Sequence, residues 1–253
     1  MSAFLQNDPS LSAKDRLIFA LDYPTAEVAE KAVAALKDHV GLFKVGLELF
    51  VSAGPGIVRS ITENSGCGVF LDLKFHDIPE TVQSAVRAAV LLGIRFVTVH
   101  ASGGRRLLKM AVEGASNDTN ILAVTVLTSL SQSDLADVGI DKDLKLSRLV
   151  LQRARLAMEA GCAGVICSGD EVREVKQQIS RGLIAVVPGV RPDWVEVAGD
   201  DQKRMATPRD AIRNGADYIV VGRPIRTAKD PARAADRIVE EIEAALGSLR
   251  KPF

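Results

Sequence analysis

The sequence predicts an α/β protein of the TIM (β/α)8 barrel class, and three observations support that prediction. Short apolar runs alternate with amphipathic segments along the chain, the runs number eight, and the length of 253 residues is close to what one such barrel needs. Near-continuous apolar strands are typical of a parallel sheet that helices cover on the outside. An open doubly wound sheet is the alternative, but no G-x-G-x-x-G follows the first strand candidate.

The eight apolar runs are rich in Val, Ile and Phe and too short for helices, so they are predicted as strands. In chain order they are Leu17–Leu21, Leu42–Val45, Val69–Leu73, Phe96–Val99, Ile121–Val126, Gly164–Cys167, Ile184–Val187 and Tyr218–Val221. Helical segments between and after them include Ala26–Leu36, Thr81–Leu92, Leu146–Ala160 and Ala232–Leu246. We expect a single domain over residues 1–253, with 1–14 an N-terminal extension or a short helix.

A weak internal repeat agrees with this alternation. Gly93, Gly161 and Gly215 each follow a helical segment and precede an apolar strand that ends in a small or polar residue. Glycine tolerates the left-handed conformation that ends many helices. Since many α/β proteins repeat such a plan, the repeat supports the fold class and no particular function.

The composition excludes several classes of protein. The 32 basic and 32 acidic residues give no net charge, whereas nucleic-acid binders usually carry a basic excess. With 47% hydrophobic residues the chain can bury a large core, so disorder is excluded. No apolar stretch is long enough to span a membrane, and the first residues do not resemble a signal peptide. Cys67, Cys162 and Cys167 lack the spacing of a zinc or disulfide framework, so we expect three buried free thiols and a cytoplasmic protein.

Charged residues lie where the first three predicted strands end. They are Asp22, Lys44, Asp72, Lys74 and Asp77. The active site of a parallel barrel lies at the carboxyl ends of its strands, and Asp72 and Lys74, two residues apart in a strand, point to the same side. An alternating network allows such charges to be buried together, so a purely structural ion-pair network is the alternative to a ligand site. A lysine among carboxylates stays protonated and suits a general acid that delivers a proton to carbon.

A second group of residues predicts a phosphate site. Val187-Pro-Gly-Val-Arg191-Pro follows the seventh predicted strand, and Gly222-Arg223-Pro follows the eighth. In barrels of this class these two loops commonly bind phosphate, and arginine offers phosphate a fork of donors. The segment Arg191–Thr207, which contains Gln202, is predicted to be a lid, with an ordinary surface loop as the alternative. Thr207 and Pro208 then predict a helix start.

The three histidines show no spacing typical of a metal site. His39 is predicted at the surface near a helix end, and His100, at the end of a strand, is predicted to be a core or rim residue. No nucleophile elbow, P-loop or H-E-x-x-H motif is present.

Seven motifs in order resemble the orotidine 5′-monophosphate decarboxylase family, over nearly the whole chain. They are Ala20-Leu-Asp22-Tyr, Phe43-Lys44-Val-Gly, Asp72-Leu-Lys-Phe-His-Asp-Ile-Pro-Glu-Thr-Val82, Leu127-Thr128-Ser129, Pro188-Gly-Val-Arg191-Pro, Asp200-Asp-Gln202-Lys-Arg and Gly222-Arg223-Pro. The D-x-K-x-x-D pattern alone is shared with related sugar-phosphate decarboxylases and synthases. The motifs together are far more specific.

This resemblance implies a metal-free and cofactor-free homodimer that converts orotidine 5′-monophosphate to UMP. It implies that Lys74 protonates C6 and that Asp72 lies beside the departing carboxylate. The other implied roles form a longer set: Lys44 and Asp22 at the ribose, Asp77 and Thr81 in the partner subunit's site, Thr128 at the pyrimidine, and Gln202, Arg191, Gly222 and Arg223 at the lid and the phosphate.

Two other functions remain open at this point. A magnesium-dependent sugar-phosphate decarboxylase or aldolase would use the same barrel, but it would need a carboxylate metal ligand where this chain has Lys44. A non-catalytic nucleotide-binding module would use the phosphate site and leave the cluster around Asp72 and Lys74 unexplained. Turnover with and without a chelator distinguishes the three.

Overall fold

The computed structural model describes residues 11–195 and 204–249. In this part of the chain eight parallel strands form one closed barrel, each paired with the next along the chain and the eighth paired with the first. The strands are β1 (Leu17–Ala20), β2 (Leu42–Gly46), β3 (Gly68–Phe75), β4 (Phe96–His100), β5 (Asn120–Val124), β6 (Gly164–Ile166), β7 (Ile184–Val187) and β8 (Tyr218–Val221). The predicted fold class and all eight predicted strands are therefore confirmed.

Helices follow the strands and cover the outside of the barrel. They are α1 (Ala26–Leu36), α2 (Leu47–Ala53), α3 (Gly56–Ser65), α4 (Pro79–Val90), α5 (Gly104–Gly114), α6 (Leu146–Glu159), α7 (Val172–Gln178), α8 (Pro208–Arg213), α9 (Arg223–Arg226) and α10 (Pro231–Leu249). In the described ranges, four short 3-10 helices lie at Lys14–Arg16, Ala101–Gly103, Gln132–Asp134 and Ala136–Val138. Of the expected extension at 1–14, residues 1–10 lie outside the described residues.

The helix boundaries follow from capping and from apolar spacing. Thr25 accepts a hydrogen bond from the backbone N–H of Val28 and so caps α1, which has the predicted bounds. Thr207 caps α8 in the same way, and Pro208 occupies its first turn, as predicted. Gly93, Gly161 and Gly215 all have positive φ, which explains the repeated glycine before strands β4, β6 and β8.

The core has an inner and an outer layer. Inside the barrel, the ring of Phe96 packs edge-to-face against Phe70 and Tyr218, with centroids 6.1 and 5.3 Å apart. Phe96 and Tyr218 are the first residues of their strands, so these rings fill the end of the barrel where the strands begin. The carboxyl ends of the strands are left for polar side chains. The outer layer packs the other strand faces against the helices.

The sequence predicts that all three cysteines are buried, and the structure tests this prediction. Cys162 and Cys167 are buried as predicted, but the prediction was wrong for Cys67, which is only partly buried because it lies in the turn between α3 and β3. Burial raises the pKa of the Cys162 thiol to about 12. Among the described helices, none is both long and apolar enough to cross a lipid bilayer.

Candidate active site

A cavity of about 340 Å³ opens at the carboxyl ends of the strands. Residues from β1, β2, β3, β5, β6, β7 and β8, or from the loops after them, line it. Eight of the residues that the sequence singled out lie together on its wall: Asp22, Lys44, Asp72, Lys74, Thr128, Arg191, Gly222 and Arg223. Residues far apart in the chain thus meet because parallel strands place all their carboxyl ends on one side.

Four charged side chains alternate in sign across this cavity. The Lys44 ammonium lies 3.0 Å from Oδ1 of Asp22 and 3.9 Å from Oδ2 of Asp72. The Lys74 ammonium lies 2.8 Å from the same oxygen of Asp72. Asp72 is therefore held between two cations, whereas Asp22, with 48% of its side chain exposed, lies toward the mouth. Four of the five charged residues predicted to converge here therefore form an alternating network, and Asp77 is not part of it.

Asp72 is held as a carboxylate. Burial opposes its ionisation, but the charges of Lys44 and Lys74 outweigh burial. With further hydrogen bonds from Lys74 and Thr98, they hold the pKa of Asp72 below its ordinary value. A negative charge is thus fixed beside the Lys74 ammonium before any substrate enters.

Lys74 reaches this position through an irregular backbone. The register of β3 against β4 shifts between Leu71 and Phe75, and Lys74 has φ of 51°, in the left-handed region. Its backbone N–H donates to the Thr98 hydroxyl over 2.9 Å. A non-glycine residue in this region is costly, and such strain concentrates at functional sites. Regular strand alternation predicted the right side for Lys74, but the actual local backbone is a bulge.

The loops after β7 and β8 form another wall of the cavity. Pro188, Gly189, Arg191, Gly222 and Arg223 line it there. Gly222 is packed closely, because a Cβ at this position would lie 3.3 Å from Ala20 Cβ and 3.5 Å from Oδ2 of Asp22. Gly222 therefore lies beside Asp22, and the two arginines line the same cavity, as a ligand with an anionic group at one end would require.

Two predicted site residues, Asp77 and Thr81, do not line the cavity. Asp77 and Thr81, at the start of α4, are exposed, and Oδ1 of Asp77 accepts the backbone N–H of Ile78 over 2.6 Å. A third, Gln202, lies outside the described residues, as does the whole of 196–203 within the predicted lid. At the two described ends of that segment, the backbone N–H of Arg191 donates to the carbonyl of Ala206 over 2.9 Å.

Three residues at the site had no role assigned from the sequence. Thr98 donates to Oδ1 of Asp72 over 2.9 Å, and Arg226 lines the cavity and donates to the backbone carbonyl of Asp22. Arg204 is ion-paired with Glu171 and donates to the carbonyl of Leu127 over 3.0 Å, next to Thr128. A threonine in an apolar strand gives no sequence signal. The proximity of Arg226 to the glycine-arginine motif was a signal for that residue.

Two of the three histidines, His76 and His100, lie near the site, and His39 does not. His39 contacts Asp236 through Nδ1 at 2.6 Å on the outer surface. The rings of His76 and His100 lie 5.3 Å apart at the end of β4. Burial lowers the pKa of His100 to about 4, helped by the charges of His76, Lys74 and Arg153. Within residues 11–195 and 204–249, no group of three His, Cys, Asp or Glu side chains is placed to hold a metal ion.

Comparison with known proteins gives consistent matches over most of the chain. The family model described as "Orotidine 5′-phosphate decarboxylase / HUMPS family" matches residues 15–238. A protein of Desulfosudis oleivorans named orotidine 5′-phosphate decarboxylase is 50% identical over 240 residues, which cover 94% of this chain and 96% of that protein. A protein of the same name from Anaeromyxobacter sp. (strain K) is 48% identical over 228 residues, which cover 90% and 98%.

Solved structures agree with these matches. The crystal structure of orotidine 5′-phosphate decarboxylase from Lactobacillus acidophilus has a TM-score of 0.78 and 38% identity, covering 89% of this chain and 98% of that one. The corresponding structure from Pyrococcus horikoshii OT3 has a TM-score of 0.73 and 27% identity, covering 90% and 99%.

Proposed function

The chain belongs to the orotidine 5′-phosphate decarboxylase / HUMPS family and decarboxylates orotidine 5′-monophosphate to UMP, and we propose that Lys74 is the proton donor of this reaction. The observation that carries the proposal is the Lys74 ammonium, held 2.8 Å from the largely buried carboxylate of Asp72 on the cavity wall. The reaction is the last step in making UMP for pyrimidine biosynthesis.

We propose one orientation for the substrate in the cavity. Arg191, Gly222 and Arg223 are proposed to bind the phosphate, because guanidinium groups match phosphate oxygens. Asp22 and Lys44 then lie at the ribose hydroxyls. Thr128 is proposed to contact the pyrimidine, and the apolar wall beside it supports a flat base. This wall consists of Val124, Val126, Leu127, Ile166 and Val220.

The chemistry needs only the substrate, the side chains and water. The bond between C6 and its carboxylate breaks, the electron pair stays on C6, and carbon dioxide leaves. The Lys74 ammonium stabilises the negative charge that forms on C6 and then transfers a proton to it. Lys74 is left neutral and regains a proton from water. No cofactor and no metal are part of this proposal.

Asp72 is proposed to act on the substrate carboxylate. Its own charge is maintained by Lys44 and Lys74, so a second carboxylate placed beside it is repelled until carbon dioxide leaves. Phosphate binding, which is remote from C6, supplies the binding energy for this unfavourable contact and for closing the lid. Gln202 is proposed to contribute to that lid.

The proposal includes a homodimer with shared sites. Asp77 and Thr81 are exposed beside the cavity of their own chain and are proposed to complete the partner's site. Ile78, which lies between Asp77 and Thr81, is an apolar residue with 64% of its surface exposed. Such residues favour burial against a second copy. We further propose a cytoplasmic location, which the three unpaired cysteines favour.

A magnesium-dependent aldolase or decarboxylase is less well supported. Lys44 lies between Asp22 and Asp72, at the place where such an enzyme needs oxygen ligands, and an ammonium there repels a metal ion. A nucleotide-binding module without chemistry does not explain the Asp72–Lys74 pair.

The function is tested by following the loss of absorbance of orotidine 5′-monophosphate with purified protein, with and without EDTA. We expect turnover at the same rate in both. No turnover contradicts the proposal, and turnover that EDTA abolishes supports the metal-dependent alternative.

The shared site is tested by mixing two inactive variants. Lys74→Ala and Asp77→Asn chains should form heterodimers in which one of the two sites has neither substitution, so some activity returns. Verified heterodimers without any activity contradict the proposed contribution of Asp77 across the dimer.

A further inference from the structure

Arg226 links the phosphate end of the cavity to the residue proposed to hold the ribose. It is the last residue of α9, the single turn that begins at Arg223, and its backbone N–H donates to the carbonyl of Gly222 over 3.0 Å. Its side chain lines the cavity and donates through Nη1 to the backbone carbonyl of Asp22. Arg226 therefore contacts both the glycine-arginine turn and the segment after β1.

The guanidinium is held in place on a second side. It lies over the ring of Tyr23 with its central carbon 5.8 Å from the ring centroid. Tyr23 in turn packs against Phe19 of β1, with ring centroids 6.5 Å apart. A planar group fixed by a hydrogen bond and a ring contact loses little further freedom when a ligand binds, so it can position its neighbours.

The contact reaches the charge network through Asp22. The carbonyl of Asp22 accepts from Arg226, and the carboxylate of the same residue accepts from Lys44 over 3.0 Å. Lys44 is close to Asp72, which contacts Lys74. A continuous series of contacts thus runs from the turn at Gly222 to the proposed proton donor.

We propose that Arg226 is a positioning residue that fixes Asp22 against the ribose and couples that contact to the phosphate-binding turn. The proposal rests on the proposed function, because it takes Asp22 as the ribose contact and Arg223 as a phosphate contact. Arg226 acts through the segment after β1 and not as an additional phosphate ligand. The two roles predict different changes in ligand affinity, and these can be measured.

The test compares the affinities of UMP and 2′,3′-dideoxyuridine monophosphate, which has the phosphate but lacks both ribose hydroxyls. The ratio of the two affinities, measured by calorimetry, reports the ribose contact alone. In Arg226→Met we expect this ratio to fall about fivefold or more, the order of one lost hydrogen bond, with a lower kcat for orotidine 5′-monophosphate. Arg226→Gln is the second variant, with a fall in the same direction, should Arg226→Met not fold.

Arg233→Met is the matched control, because Arg233 is exposed at the start of α10 and does not line the cavity. It should leave the ratio unchanged. If Arg226→Met weakens both ligands equally, Arg226 is a phosphate ligand and the inference is wrong. It is also wrong if the variant behaves like the control, or if wild type does not distinguish the two ligands. An absence of turnover by wild type contradicts the proposed function, whereas the affinity ratio still tests Arg226.

Discussion

The hydroxyl of Thr98 donates a 2.9 Å hydrogen bond to Oδ1 of Asp72. The same hydroxyl oxygen accepts the backbone N–H of Lys74 over 2.9 Å. One fully buried side chain of β4 thus fixes the Asp72 carboxylate and the irregular backbone of β3 that carries Lys74, the proposed proton donor. The position of the charge pair depends on a neutral residue that contacts both of its members.

Replacement of Thr98 with valine should therefore reduce activity more than its small change in shape implies. Valine keeps the volume but leaves the N–H of Lys74 and an oxygen of Asp72 without this partner, at a cost of about 1–3 kcal/mol in unfolding free energy. Because small displacements of reacting groups are costly, we expect kcat to fall by about 10- to 100-fold. Denaturant unfolding and steady-state kinetics measure the two effects.

Thr119→Val is the control for that substitution. Thr119 is also buried, and its hydroxyl donates to the carbonyl of Ile94 over 2.9 Å, away from the cavity. It should lose stability to a similar degree and keep kcat. An equal loss of kcat in both variants, or none in Thr98→Val, contradicts the positioning role of Thr98.

Asp72 should make stability depend on pH in acid. Its pKa in the folded protein lies below the ordinary value of 3.8, so the unfolded chain binds the proton more readily. The stability that this carboxylate contributes is present above that ordinary value and is lost as pH falls through the lower folded-state pKa. In Asp72→Asn the unfolding free energy should fall less steeply with acid in this window. Identical slopes in chemical denaturation series contradict the prediction.

His100 should remain neutral in moderately acid solution. Its pKa of about 4 lies below the ordinary 6.5, so the unfolded state binds the proton first and stability declines as pH falls from 6.5 toward 4. An NMR titration should show one imidazole, assigned through His100→Gln, that is still neutral at about pH 5.5, between those two values. A midpoint near 6.5 for that ring contradicts the proposed effect of burial and of the neighbouring cations.

The sequence was sufficient for the barrel and for the charged residues at strand ends. Eight apolar runs imply parallel strands, and the fold itself brings Asp22, Lys44 and Asp72 to one side, so their proximity followed from topology alone. The same argument predicted that Arg191 and Arg223 lie in the loops after β7 and β8.

The missed features depend on three-dimensional detail. The bulge at Lys74 could not be predicted, because lysine does not favour positive φ and only the surrounding structure imposes it. Thr98 contacts Asp72 through the register of β3 against β4, which shifts at that point. Arg226 meets a backbone carbonyl, and such an acceptor is present at every residue, so the sequence does not identify which one is used.

Lys74→Ala tests the proposed proton donor most directly. The variant should fold, because the substitution removes a side chain that is 30% exposed and not part of the apolar core. We predict that it still binds UMP in calorimetry, since the phosphate and ribose contacts remain, and that single-turnover decarboxylation of orotidine 5′-monophosphate is nearly abolished. A folded Lys74→Ala protein that binds UMP and decarboxylates at close to the wild-type rate would contradict the role of Lys74.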